Sequence, residues 1–370
     1  MFLVSQCGDK GVSRPVFQTY GTSQWSPSGF SNQFRKVDSP KFAVVGLLRP
    51  GWTRVRGLAR LRGVGFPRRR CSTPESIYRT PAGEAEVGAL YDEALAGLGQ
   101  GHESLSVATR LGETHVLAIG PEDAPPAVFL PGGNFLNPTC LKWFLPLAER
   151  HRLYAPDIVG QPGLSAQTRP SPKGDGHAFW VEDILDGLGL ERAPLVGLSY
   201  GAGIAIRTMG LAPERVSRAA LISPAGVAAG PVSRMLLGVA VPMVLYRLRP
   251  TEENLLRAAR PLLTDPEDPD FGPAVRQLGA IYRHLRLDAG LPRMATEGEL
   301  RGFGGAVAVF ASEEDAFFPA GAVLPRAREI FPKLAVAESL EGCRHIPSKV
   351  GLGRVNERVL AFLAGCEETW

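Results

Sequence analysis

The chain has little cysteine and little histidine, and each shortage narrows what it can do. Its five cysteines (Cys7, Cys71, Cys140, Cys343 and Cys366) are odd in number and form no C-x-x-C pair, so neither a zinc knuckle nor a disulfide framework is suggested. A reducing compartment is the default, and the cytoplasm is the expected location. Cys343 reads as a small packed hydrophobe. Long apolar runs are missing too. The longest, Met235 to Tyr246, is about half the roughly 20 residues that a membrane span needs, and it contains Pro242. Phe42 to Leu48 follows basic residues as a signal-peptide core does, but it lies far from Met1 and no small-residue cleavage pattern follows it. There are no internal repeats, which excludes a solenoid.

Acidic residues are scarce in one region. Residues 1–75 hold 13 Lys/Arg against 3 Asp/Glu, so a chain of net charge +4 has a mildly acidic remainder. The basic surplus is therefore no argument for nucleic acid as a partner of the folded body. This opening stretch is rich in Ser, Gly, Pro and Arg, ends in Pro67-Arg-Arg-Arg-Cys71 and has no hydrophobic period. It is expected to be a largely disordered basic extension, because its apolar density does not offset chain entropy. An upstream segment foreign to the native protein is the first reading; a transit or interaction tail and a small basic module are the others. Across all 370 residues the hydrophobic content is 44%, ample for one large α/β domain.

From residue 84 onward the pattern becomes regular. Glu84 to Leu98 has helical spacing, and Leu105 to Leu111 and Thr114 to Ile119 read as strands joined by a hairpin turn at Gly112-Glu113. Strands are expected at Ala127 to Leu130, Arg152 to Asp157, Pro194 to Leu198, Ala219 to Ser223, Ala306 to Ala311 and Leu334 to Ser339. Helices are expected at Leu141 to Arg150, His177 to Leu188, Gly201 to Met209 and Val350 to Ala364. Strands alternating with helices imply right-handed crossovers and a mostly parallel, doubly wound sheet. Between Pro224 and Arg301 strand signals stop, and two or three helical stretches take over (Met235 to Arg247, Glu252 to Leu263, Pro273 to Leu287). An insertion of this length exceeds a plain loop. It predicts a helical cap at 225–301 on a core formed by 76–224 and 302–370.

The chemistry is concentrated around Gly197-Leu-Ser-Tyr-Gly201, a Gly-x-Ser-x-Gly pentapeptide between a buried strand and a helix start. That context is what a nucleophile elbow requires, with a strained serine at a sharp turn and glycines where strand and helix approach. A serine hydroxyl needs an imidazole to take its proton and a third group to orient the imidazole. Of six histidines, only His345 lies between the last strand and the last helix, in Gly342-Cys-Arg-His-Ile-Pro347. The acid should follow the strand before it, where Glu313, Glu314 and Asp315 cluster; Asp315 is the choice and Glu314 the alternative. An oxyanion hole needs backbone amides. Tyr200, after the nucleophile, supplies one, and Gly133 the other, with Asn134 in reserve.

These motifs identify a resemblance: over about residues 76 to 366 the chain is similar to α/β-hydrolase-fold serine hydrolases with a helical cap. Gly-Leu-Ser-Tyr-Gly at 197–201, Ser-Glu-Glu-Asp at 312–315 and Cys-Arg-His-Ile-Pro at 343–347 match that family's nucleophile, acid and base motifs, and Asp157-Ile-Val-Gly-Gln-Pro-Gly-Leu-Ser165 resembles its Asp-x-x-Gly-x-Gly-x-Ser loop. The resemblance implies a triad of Ser199, Asp315 and His345, with Gly133 and Tyr200 as the oxyanion hole. One departure stands out: Pro131-Gly132 occupies the place where the family commonly has His-Gly.

The implied activity is hydrolysis of a small carboxylic ester through an acyl-enzyme, with a small-molecule acyl substrate and water as partners and no metal or organic cofactor. Thioester, lactone, amide or C–C bond hydrolysis and acyl transfer use the same triad, and fold analogy does not choose among them. A non-catalytic ligand-binding relative is the rival of another class; it would need only the pocket, not the ordered triad.

Overall fold

The sheet begins with a hairpin, and its central strands carry the buried apolar runs expected of strands covered on both faces. The computed structural model describes residues 76–287 and 290–365; the basic extension expected at 1–75 lies outside the described residues. The strands are β1 (His102–Thr109), β2 (Gly112–Ile119), β3 (Pro126–Leu130), β4 (Arg152–Pro156), β5 (Ala193–Leu198), β6 (Val216–Ile222), β7 (Ala306–Ser312) and β8 (Leu334–Leu340). They form one eight-stranded sheet in the order β1-β2-β4-β3-β5-β6-β7-β8. β2 runs antiparallel to β1 and β4, and every other pairing is parallel.

The helices are α1 (Pro81–Ala96), α2 (Asn137–Lys142), α3 (Gly176–Gly187), α4 (Tyr200–Leu211), α5 (Val232–Met235), α6 (Val241–Leu248), α7 (Glu252–Ala259), α8 (Gly272–His284), α9 (Glu297–Leu300), α10 (Ala320–Ile330) and α11 (Lys349–Leu363). Side chains alternate across the sheet. Phe129, Val196 and Phe310 pack on one face with Leu141 of α2 and Val359 of α11. Val128, Leu195 and Val309 pack on the other with Trp180 of α3, Ile204 of α4 and Val323 of α10. The strand order reverses at β3, which has β4 on one side and β5 on the other, opening a crevice at the carboxyl ends of the strands where loops diverge.

Three local expectations need correction. The hairpin turn is Arg110-Leu111, two residues earlier than expected, because Asp183 of α3 takes both the Arg110 amide and its guanidinium at 2.7–2.8 Å. The helix expected from Leu141 to Arg150 is α2 followed by a 3₁₀ turn, Leu145–Glu149, with Pro146 at the break. α10 was not foreseen, since Pro325 sits inside it. The helices between β6 and β7 match the expected insertion, and among the described residues no helix is long and apolar enough to cross a membrane.

Candidate active site

Ser199 is the single residue between β5 and α4, held at φ 52° and ψ −111°. That left-handed conformation costs a residue with a side chain about 1–3 kcal/mol. The surroundings impose it: its amide donates to the Ile222 carbonyl at 2.8 Å, and its own carbonyl accepts from Gly203 and Ala225 at 3.2 Å. Contact accounts for the flanking glycines. A Cβ on Gly197 would lie 2.5 Å from the Ala202 Cα, and one on Gly201 would run into the Leu130 and Pro131 carbonyls.

Asp315 and His345 reach the serine from the ends of β7 and β8. His345 Nε2 lies 2.8 Å from Ser199 Oγ, and its Nδ1 lies 2.8 Å from Asp315 Oδ2. The other oxygen of Asp315 accepts from the Phe317 amide at 2.7 Å, so both carboxylate oxygens are engaged and the group is fully buried. The imidazole packs against the rings of Phe317 and Phe318, with centroids at 5.1 and 5.8 Å. Glu314 points elsewhere, 57% exposed and paired with Arg344. Glu313 leans toward Ser339 and the Gly342 amide.

The loop after β3 lies beside the serine. A Cβ on Gly133 would come 3.1 Å from the Tyr200 Cβ, so glycine lets these two backbones meet. Tyr200 opens α4, where first-turn amides point out along the helix axis, and its ring stands edge-on to His177 at 5.6 Å. Asn134 takes φ 55°, and its amide donates to Gln161 Oε1 at 2.8 Å.

Two supports were missing from the sequence reading. Ser223, fully buried at φ 44°, donates its hydroxyl to the His345 carbonyl at 2.7 Å, so β6 fixes the backbone of the histidine. Gln161 ties the loop after β4 to the loop after β3. Its own loop hangs from Asp157, whose carboxylate accepts from Tyr91 Oη at 3.0 Å, Asn137 Nδ2 at 2.9 Å and the Leu164 amide at 2.7 Å. Burial, reinforced by the Asp157 charge, pushes the Tyr91 hydroxyl far above its usual pKa, which keeps it a donor. The sequence signals for both supports are weak: a Ser-Pro after a strand, and a glutamine in a glycine loop.

A cavity of about 410 Å³ stands over Ser199 and His345, within the ~300–1,000 Å³ usual for small-molecule sites. Met235, Val239, Met243, Leu278 and Tyr282 close it from the β6–β7 insertion, and among its described residues His345 is the one titratable side chain in the lining besides the tyrosines. Among the described residues no group of three or more His, Cys, Asp or Glu side chains is placed to share a metal ion.

The sequence model of the alpha/beta hydrolase family matches residues 127–356. Carboxylesterase YbfK of Bacillus subtilis (strain 168) is 30% identical over 287 residues, spanning 74% of this chain and 92% of that protein. Among solved structures, naproxen esterase (carboxylesterase NP) from Bacillus subtilis is similar with a TM-score of 0.66 and 26% identity, over 76% of this chain and 99% of that one. Carboxylesterase CesB (YbfK) from the same organism gives 0.63 and 28%, over 77% and 99%. With the fold, the serine turn and these relatives in agreement, the chain belongs to the alpha/beta hydrolase family and is an enzyme of it, a carboxylesterase-like hydrolase.

Proposed function

We propose that the protein hydrolyses uncharged carboxylic esters with an apolar acyl or alcohol part, using Ser199 as nucleophile, His345 as general base and acid, and Asp315 as the group that orients the imidazole. The observation that carries this is the unbroken hydrogen-bonded chain Ser199–His345–Asp315 at the floor of an apolar cavity. Ser199 Oγ attacks the carbonyl carbon while its proton passes to His345 Nε2; the imidazolium gives that proton to the leaving alcohol, and a water deprotonated by His345 then splits the acyl-enzyme. The Gly133 and Tyr200 amides receive the developing oxyanion, each donor worth about 3–4 kcal/mol. A charged acyl chain would lose its hydration in this lining without a partner.

In the same proposal residues 76–224 and 302–370 are the core and 225–301 the cap, supported by the insertion's share of the cavity wall. The cytoplasm is the proposed location, supported by Cys140 and Cys343 being free thiols. The test is hydrolysis of p-nitrophenyl esters of graded chain length by wild type and by Ser199→Ala. Turnover that disappears in the variant is expected, with a chain-length optimum set by the cavity. A wild-type protein inert on every ester and unreactive toward a fluorophosphonate would sink the esterase mechanism and favour ligand binding without catalysis.

A further inference from the structure

The helical segment 232–248, made of α5, a π turn at Leu236–Ala240 and α6, is apolar on two opposite faces. One face lines the cavity through Met235, Val239 and Met243. On the other, Leu237, Val241, Val244 and Leu248 follow one another at the spacing of a single helical face, and they are 67%, 42%, 46% and 77% exposed. A helix apolar on all sides is normally covered on all sides; here, among the described residues, protein covers one. Scattered exposed leucines are ordinary, but most of the large exposed hydrophobic residues of the described chain fall in this one segment. Val232 and Leu236 are strongly exposed and also line the cavity, so the outer apolar surface continues over the helix edge into the cavity mouth.

The charges say what covers that surface. From Ala225 to Pro250 there are three arginines and no Asp, Glu or Lys. Arg247 is turned inward, donating to the carbonyls of Tyr282 and Leu285. Arg234 and Arg249 are exposed, one toward each end of the stripe. Beyond Pro250, α7 opens with exposed Glu252 and Glu253, the latter paired with Arg257, so a second copy would set two arginines of each patch against one another with Glu252 alone to offset them. An apolar stripe between cations matches the boundary of an anionic lipid layer, where apolar side chains reach the acyl region and cations meet the headgroups.

We propose that segment 232–248 seats the enzyme on an anionic lipid surface, with the cavity mouth facing the layer. The lipid contact stands on the exposed face alone; only the idea that esters enter from that layer rests on the esterase mechanism proposed above.

The test separates the two. Full-length Ser199→Ala protein is co-sedimented with phosphatidylcholine vesicles, with and without phosphatidylglycerol, beside the same protein carrying Leu237→Gln and Leu248→Gln. Expected are stronger binding to the phosphatidylglycerol vesicles, weakening with salt, and a loss of about tenfold or more in the double variant. Arg234→Glu with Arg249→Glu should remove the preference for phosphatidylglycerol. In the Ser199 background, Leu237→Gln with Leu248→Gln should hydrolyse a short water-soluble ester at the wild-type rate, since neither side chain lines the cavity. Equal binding by variant and parent would overturn the proposal and shift the contact elsewhere, such as the basic residues 1–75. Absence of binding to both vesicles would overturn it too, as would a concentration-dependent dimer, seen by light scattering, that the leucine variant abolishes.

Discussion

Asp315 and Glu314 are neighbours in sequence and opposites in environment. Asp315 is buried with both oxygens engaged, one by His345 and one by the Phe317 amide. Glu314 is exposed and paired with Arg344, a contact worth at most about 1 kcal/mol. Asp315→Asn should therefore lower kcat by roughly 10⁴-fold, by stabilising the wrong imidazole tautomer, while Glu314→Gln should leave kcat unchanged. Steady-state kinetics on one activated ester compares them directly; a Glu314→Gln enzyme as impaired as Asp315→Asn would reassign the acid. Ser223 acts a step further out, through the backbone of His345. Ser223→Ala should lower kcat more than it raises KM, because a displaced imidazole spoils proton transfer and leaves the apolar cavity intact; Ser223→Thr, which keeps the hydroxyl, should recover part of the loss.

At the scale of elements, the junction of β5 and α4 is the tightest contact around the site. Gly201 presses against the carbonyls of Leu130, the last residue of β3, and Pro131, the first of the loop after it. The cost of overpacking such a contact is about 1–3 kcal/mol, so Gly201→Ala should lower the unfolding midpoint by several degrees for the domain as a whole. Loss of activity should exceed what the unfolded fraction explains, because pushing that loop away carries Gly133 with it. A second junction ties α4 to α9. Glu299, whose backbone amide closes a capping box with Thr296, pairs with Arg293 and with Arg207 of α4. The Arg293 guanidinium holds the Glu299 carboxyl well below its usual range, at about 2. A depressed folded-state pKa contributes stability above the unfolded value of 4.5, and that contribution fades as pH falls from there toward about 2. Glu299→Gln should consequently flatten the acid limb of stability against pH in that window and leave the neutral region nearly parallel; guanidinium melts at stepped pH would show it. An unchanged acid limb would mean that the pair contributes nothing.

Over the whole molecule, what could be read from the sequence was what is periodic or locally strained. The buried strands announced themselves as apolar runs, and Gly-x-Ser-x-Gly announced the turn because glycine is the only residue that those backbone approaches tolerate. His345 is singled out by position, being the one histidine between the last strand and the last helix. Long-range partners were not legible. Gln161, Ser223 and Asn137 look like any polar residue until the sheet brings their loops together, and α10 was hidden by Pro325, which normally ends a helix. The Arg110-Leu111 turn depended on Asp183, which is distant in sequence.

The tether from Ser223 to the backbone of His345 has a consequence for the life of the chain before it is finished. In the mechanism proposed above, nucleophile, tether, acid and base are residues 199, 223, 315 and 345, and these side chains converge only when β5 through β8 are registered side by side. During synthesis, domains fold as units from the amino end, so a nascent polypeptide carries the Ser199 hydroxyl long before His345 has been added. A chain arrested or clipped ahead of His345 should be silent toward a fluorophosphonate label however well its first strands are formed. In refolding from denaturant, labelling should rise with the slowest tertiary signal and never before it. On the proposed mechanism, then, reactivity of Ser199 reports that β5 through β8 have all been assembled.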